Sequence, residues 1–133
     1  MDLTPPPPPP ELLRWSGRSD RGKVRANNED SFLALQFDAR EVRRLGKVGE
    51  ASTQDSDFVF AVSDGMGGAL AGEYASRIAV DKVTTLLPKS FQHSASGLAA
   101  GFGDVLTELY DQIHRALVYL GGSYPECRGM EAT

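Results

Sequence analysis

Apolar stretches of two kinds alternate with polar, glycine-containing connections along the chain. Residues 58–62 form a continuous run of β-branched, aromatic and small residues that is too short for an independent helix, which predicts a strand buried on both faces and ending at Asp64-Gly65. Residues 31–37 are also mostly apolar and predict a second strand. Residues 12–16, where Leu13 and Trp15 stand two positions apart, predict a first strand.

Helical spacing replaces the strand pattern after the glycines at 67 and 68. From Ala69 small and apolar residues recur at helical intervals until Pro88, which predicts a helix that ends just after Leu87. Apolar residues from 98 to 120 predict a second helix ending at Gly121-Gly122. Three small residues near the start of the first helix should allow it to approach the sheet closely: Gly72, Ala75 and Ser76.

The remaining segments are polar. Residues 38–56 show no sustained apolar period and predict a surface loop, and residues 89–96 predict a linker. Residues 1–11 include six consecutive prolines and predict a disordered leader outside the folded domain, residues 12–133. Strands and helices without a regular alternation favour an α+β fold, in which helices cover a mainly antiparallel sheet.

Composition narrows the class of protein without naming a function. The length of 133 residues fits one domain. The net charge of -4 argues against a nucleic-acid binder. No segment has the apolar length of a transmembrane helix, and prolines stand where a signal peptide needs its apolar core. A single cysteine, Cys127, fits a reducing compartment, so we expect a cytoplasmic protein. His93 and His114 lack metal-ligand spacing and are interpreted as surface or packing residues.

Two groups of carboxylates stand beside predicted strand ends. Glu29 and Asp30 precede the strand at 31–37, and Asp64 follows the strand at 58–62. Neighbouring strands could bring them together, and hard divalent cations such as Mg²⁺ and Mn²⁺ select oxygen ligands. Gly65 could turn its own carbonyl toward such an ion. The structural alternative is an exposed acidic turn and a common Asp-Gly turn.

Arg25 adds a phosphate-binding group four residues before Glu29. A guanidinium offers a planar fork that matches phosphate oxygens, and a metal ion lowers the pKa of bound water from about 15.7 toward 7. Arg25 alone would be interpreted as an exposed, solvated charge. Together with the carboxylates it favours phosphate hydrolysis by a metal-activated water.

Two motifs carry a resemblance to a known family. Residues 25–30, Arg-Ala-Asn-Asn-Glu-Asp, resemble the R-x-x-N-E-D opening motif of the metal-dependent serine/threonine protein phosphatases of the bacterial PPM, or PP2C, type. Residues 60–76 resemble that family's second motif, F-A-V-x-D-G-M-G-G-x-x-x-G-E-x-A-S. The resemblance covers the chain from Trp15 onward and implies a PP2C-like β-sandwich flanked by helices in α-β-β-α layers.

The resemblance also implies roles for individual residues. Arg25 would bind the substrate phosphate, while Glu29, Asp64 and the carbonyl of Gly65 would hold one Mn²⁺ or Mg²⁺ ion. Asp64 would bridge to a second ion in the complete domain, and Asp30 would orient a metal-bound water. The implied partners are phosphoserine and phosphothreonine proteins, with a cognate kinase and its substrates, and neither nucleic acid nor membrane.

The family's later motifs are absent from this sequence. These are a Gly-Asp-Ser motif and two further aspartates that complete the second metal site, and residues 129–133 resemble only the opening of the strand before them. We therefore expect the N-terminal portion of a phosphatase domain, with an incomplete sandwich and little or no activity alone. The alternative is a non-catalytic module of the same fold that binds phosphoproteins or another partner.

Overall fold

The structure, a computed structural model, describes residues 3–9, 11–25, 27–67, 71–92 and 102–133. Six strands and two long helices make up an α+β fold within these ranges. In chain order the elements are β1 Leu12–Ser16, β2 Asp30–Phe37, β3 Val42–Arg44, β4 Val48–Ser52, β5 Asp57–Met66, α1 Ala71–Gln92, α2 Phe102–Ser123, a 3₁₀ turn Pro125–Cys127, and β6 Glu131–Ala132. The predicted first two strands are confirmed.

The strands form two antiparallel sheets. The larger has the order β3-β2-β5-β6, and the smaller pairs β1 with β4. The β2–β5 pair is the longest, with Phe37 opposite Asp57 at one end and Asp30 opposite Asp64 at the other. The prediction of a mainly antiparallel sheet is confirmed, and two sheets with two helices are consistent with a partial PP2C-like sandwich.

One face of the larger sheet carries the helices. Leu33 and Leu35 of β2 are fully buried and pack with Val80 of α1, and partly buried Val59 of β5 joins this cluster. A second cluster joins α1 to α2, and its buried members are Ala71, Ala75, Ala79, Leu87, Leu109, Ile113, Leu117 and Met130. Small residues on α1 therefore bring this helix close to the sheet, as the sequence predicts.

The opposite face of β5 is only partly covered, so the prediction of a strand buried on both faces is wrong. Trp15 of β1 contacts the rings of Phe58 and Phe60, with centroid distances of 6.3 and 5.6 Å. Val62, farther along the same face, is 73% exposed. An antiparallel sheet can leave one face open to solvent. A run of apolar residues does not show which of its two faces is covered.

Both helix ends differ from the sequence prediction. Helix α1 continues through Pro88 to Gln92. Proline removes one backbone hydrogen bond, yet the helix runs through Pro88, whose side chain is fully buried. Helix α2 includes Gly121 and Gly122 and ends at Ser123, where the amide of Tyr124 still donates to the carbonyl of Leu120.

The predicted loop at residues 38–56 contains two strands. β3 pairs with the end of β2, and β4 pairs with β1 from Ser52 opposite Leu12 to Val48 opposite Ser16. The predicted linker from residue 93 onward, including His93, lies outside the described residues, as does the predicted start of the second helix. His114 is exposed on α2, and residues 3–9 have neither helix nor strand. Neither of the helices in the described ranges has the length and apolar character needed to cross a membrane.

Candidate metal and phosphate site

The predicted site residues meet at one end of the β2–β5 pair. Asp30 and Asp64 are direct cross-strand partners, so their side chains leave the same face of the sheet. A cleft of about 220 Å³ lies beside them. Its lining residues are Asp20, Arg21, Arg25, Asn27, Asn28, Glu29, Asp30 and Asp64.

Asp64 lies two residues inside β5 and does not end the strand, contrary to the sequence prediction. The strand continues because β6 pairs with Gly65 and Met66. Thr133 adds two backbone hydrogen bonds: the amide of Asp64 donates to the Thr133 carbonyl, and the Thr133 amide donates to the Asp64 carbonyl, each at 2.8 Å. The backbone of Asp64 is thus held from both sides, by β2 and by the end of β6.

Asp30 and Asp64 are facing carboxylates that repel each other when both are ionised. Partial loss of hydration raises the pKa of Asp30 above its ordinary value of 3.8, and the hydrogen bond and negative charge of Asp64 raise it further. Glu29 contributes repulsion, while the positive charge of Arg25 acts in the opposite direction. A proton or a cation between the two carboxylates relieves this repulsion.

Glu29 lies on the α1 side of the sheet. Its side chain is only 8% exposed and accepts a hydrogen bond from the Arg25 guanidinium, with Nη1 and Oε2 2.5 Å apart. A Cβ atom on Gly72 of α1 would lie 2.7 to 3.1 Å from the carboxyl atoms of Glu29. Gly72 therefore makes room for this buried carboxylate, a role beyond the close helix packing that the sequence predicts.

Gly65 is fixed by backbone on both sides. Its amide donates to the carbonyl of Glu29 at 3.0 Å, and a Cβ atom here would overlap the carbonyl oxygen of Gly72. From the sequence alone, glycine at position 65 allows its own carbonyl to turn toward an ion. The structure gives an additional reason, which is that the first turn of α1 leaves no space for a side chain at position 65.

A closed loop carries Arg25 to the cleft. The side-chain amide of Asn28 donates to the Ser19 hydroxyl at 2.6 Å, and Asp20 accepts from the Gly22 amide at 2.8 Å. Asn28 also accepts from the amide of Asp30 at 3.0 Å. The loop is therefore attached directly to the start of β2, and the Arg25 side chain is 68% exposed beside the cleft.

The cleft supplies some of the oxygen ligands that a divalent cation needs. Two facing carboxylates are the ligands that Mg²⁺ commonly takes from a protein, with waters completing its shell. The described part of the chain contains no group of three His, Cys, Asp or Glu side chains arranged to hold a metal. Consecutive side chains at a strand leave opposite faces, so Asp30 meets Asp64 while Glu29 meets Gly72 and Arg25. The structure thus brings Asp30 and Asp64 together, and the roles assigned to Arg25, Glu29, Asp30, Asp64 and the Gly65 carbonyl all stay predictions.

Sequence reasoning missed several residues of the cleft. Asp20, Arg21, Asn27 and Asn28 line it, and none of them was given a role in the sequence analysis. The Asp20-Arg21-Gly22 sequence was a usable turn signal, and in the structure the Gly22 amide donates to Asp20 and Gly22 has φ of 75°. The contribution of Thr133 had no local signal, because it pairs with a residue far away in the sequence.

Known proteins give a partial match to the chain. Over 69 residues, or 52% of this chain, it is 42% identical to the serine/threonine protein phosphatase PstP in each of two strains of Mycobacterium tuberculosis. The matched segment spans 9% of the length of each mycobacterial protein. No protein-family model matches the chain, and no solved structure matches it. A partial homologue among serine/threonine phosphatases supports an origin in a phosphatase family.

Loss of hydration at Asp30 and repulsion from Asp64 together predict a pH-dependent effect on stability. Because the folded-state pKa of Asp30 is raised, ionising Asp30 costs folding free energy at neutral pH, and this cost disappears below the ordinary value of 3.8. Asp30→Asn should therefore raise the free energy of unfolding by about 0.2 to 1 kcal/mol at pH 7 in chelator, or roughly 1 to 4 °C in Tm. The gain should vanish near pH 3.

Thermal unfolding followed by circular dichroism measures this effect. Asp57→Asn is the matched control, since Asp57 lies at the other end of the same strand pair, opposite Phe37. An equal gain from both variants would assign the effect to net charge alone and contradict the pairwise repulsion.

Proposed function

We propose that the chain carries the phosphate- and metal-binding part of a protein serine/threonine phosphatase of the PPM type. The observation that carries this proposal is the direct pairing of Asp30 with Asp64 beside an exposed Arg25 in one cleft. The similarity to PstP supports the same reaction class. Since the match spans a small part of those proteins, the activity of a whole protein and its substrates are part of the proposal.

The proposed roles follow from the chemistry of each side chain. Asp30 and Asp64, with Glu29 and the Gly65 carbonyl, are the oxygen donors for Mn²⁺ or Mg²⁺. When bound there, such an ion supplies an activated water and offsets the negative charge on the phosphate. Arg25 binds the phosphate oxygens, and its five N–H donors allow this while one remains on Glu29. The proposed substrates are phosphoserine and phosphothreonine proteins, together with a kinase that produces them.

A second function is favoured by a specific observation. Glu29 is buried against Gly72 and bonded to Arg25, and the described residues hold no three-ligand group. These features suit a non-catalytic module that binds phosphoproteins through Arg25. The two functions share the phosphate-binding step and differ in whether phosphate is released.

The test measures binding and release on the same samples. A fluorescent phosphothreonine peptide is titrated with the chain in Mn²⁺, and free phosphate is assayed in parallel. We expect binding to require the phosphate. Arg25→Ala should lower the affinity for the phosphopeptide by about tenfold to a hundredfold, because it removes a charge-assisted hydrogen bond worth about 1.5 to 3 kcal/mol. Arg25→Lys should restore it only in part, because lysine lacks the planar fork.

Arg44→Ala is the matched control, since Arg44 is exposed on β3 at the far end of β2. Slow phosphate release that stops in chelator supports the phosphatase, while binding without release supports the binding module. Full hydrolysis in excess chelator would rule out the metal-dependent mechanism. Peptide binding that ignores both the phosphate and Arg25 would contradict both functions.

A further inference from the structure

The loop that carries Arg25 is strongly basic. Residues 18–25 contain four cations: Arg18, Arg21, Lys23 and Arg25. Arg21 and Arg25 line the cleft. Arg18 and Lys23 are exposed and have no hydrogen bond or ion pair with any residue in the described ranges. We call Arg18 and Lys23 the basic rim.

Local bonds fix the loop that carries the basic rim. Ser19, next to Arg18, is bonded to Asn28, and Asp20 closes a turn with Gly22 just before Lys23. Gly22 has φ of 75°, a conformation that favours glycine. The rim therefore follows from the same loop closure that positions Arg25.

Val24 is an exposed apolar side chain within this loop. Its side chain is 96% exposed, between Lys23 and Arg25. A single exposed valine is common on protein surfaces, but here it stands next to the residue proposed to bind phosphate. Lys23 and Val24 directly precede Arg25 in the chain, so a peptide bound at Arg25 lies near both.

The loop and the strand ends beside it differ in charge. The carboxylates of Glu29, Asp30 and Asp64 lie on the strand side, whereas the basic rim lies on the loop side. Lys23 is two residues from Arg25, so their Cα atoms are at most about 7 Å apart. A cation at that distance can reach the side chains within a few residues of a phosphorylated residue, and it attracts carboxylates among them.

We propose that the basic rim selects phosphopeptides that carry Glu or Asp side chains within about three residues of the phosphorylated residue, the reach of an extended peptide over this loop. This inference rests on the proposed function, because it uses Arg25 as the phosphate-binding group. It adds the substrate class: acidic phosphopeptides, read by Arg18 and Lys23.

Four labelled peptides of equal length test the proposal with the full chain in Mn²⁺. They combine threonine or phosphothreonine with flanking glutamates or flanking glutamines. Fluorescence anisotropy at low salt should show the acidic phosphopeptide binding about threefold to tenfold more tightly than the neutral one, the range for two exposed charge pairs. This ratio should fall as salt screens the rim.

The double variant Arg18→Gln with Lys23→Gln should bring the ratio to about one without weakening the neutral phosphopeptide. Arg40→Gln with Arg44→Gln is the matched control for net charge, at the far end of β2, and should leave the ratio unchanged. An unchanged ratio in the rim variant, or an equal loss in the control, overturns the inference.

The remaining outcomes separate this inference from the proposed function. Phosphate-dependent binding with no preference for glutamates overturns the inference and leaves the proposed function intact. Binding that ignores phosphate overturns the proposed function and, with it, this inference. Displacement of the acidic phosphopeptide by an equal charge concentration of a DNA oligonucleotide shows a rim that accepts any polyanion, which also overturns the inference.

Discussion

Gly65→Ala is expected to lower the free energy of unfolding by about 3 kcal/mol or more, the range of severe overpacking. The new Cβ atom would overlap the carbonyl oxygen of Gly72 and lie 2.6 Å from its carbonyl carbon and 2.9 Å from the carbonyl oxygen of Glu29. All these atoms belong to backbone, so no side-chain rotation relieves the overlap. Only separation of α1 from β5 makes space, and that separation opens the buried cluster around Ala71 and Ala75. Because whole domains are stable by only about 5 to 15 kcal/mol, much of the native population should be lost.

Urea denaturation followed by circular dichroism measures this loss. Gly46→Ala is the matched control, since a Cβ atom at Gly46 meets nothing within 4 Å, and we expect a change within about 0.5 kcal/mol. Gly72→Ala should cost less than Gly65→Ala, because its new Cβ meets the carboxyl end of Glu29, which can move. Wild-type stability in Gly65→Ala would contradict the close approach of α1 to the end of β5.

Local patterns in the sequence predicted the elements that carry the chemistry. Leu13 and Trp15 alternate as a half-buried strand requires, and β1 has the predicted bounds. β3 and β4 were missed because they are short and mostly exposed, and their stability comes from pairing with distant residues. Ser52 of β4, for example, faces Leu12. No window of local sequence contains that partner.

The site shows the same limit. Sequence spacing indicated that Glu29, Asp30 and Asp64 could meet at neighbouring strand ends, and they line one cleft. It did not fix the register of β2 and β5, which decides that Asp30 and not Glu29 faces Asp64. A shift by one residue would exchange the two carboxylates between the faces of the sheet. The residue that accommodates Glu29, Gly72, was recognised as small, but its contact with the carboxylate depends on the tertiary packing of α1.

Asp64→Asn is expected to lower the affinity of the chain for Mn²⁺ by at least about a hundredfold. Mutation of a residue that only hydrogen-bonds to a metal ligand already lowers metal affinity by about tenfold to a hundredfold, and Asp64 is proposed to be a ligand itself. Its backbone is fixed by Thr133 and by the register with Asp30, so an amide of the same shape should occupy the same position. The substitution removes one of two facing negative charges while the fold is kept. Isothermal titration calorimetry measures the affinity directly.

Thermal unfolding gives an independent measure of the same binding. Mn²⁺ at a hundred times its Kd should stabilise the wild-type chain by about 2.7 kcal/mol, and this gain should disappear in Asp64→Asn. Asp57→Asn removes the same charge from the other end of β5 and should retain the gain. Equal Mn²⁺ affinity in the wild type and Asp64→Asn would show that the paired carboxylates are not the metal ligands. Asp30→Asn should stabilise the metal-free chain but weaken Mn²⁺ binding. Both effects have one cause, since the repulsion within the carboxylate pair is the interaction that a bound cation offsets.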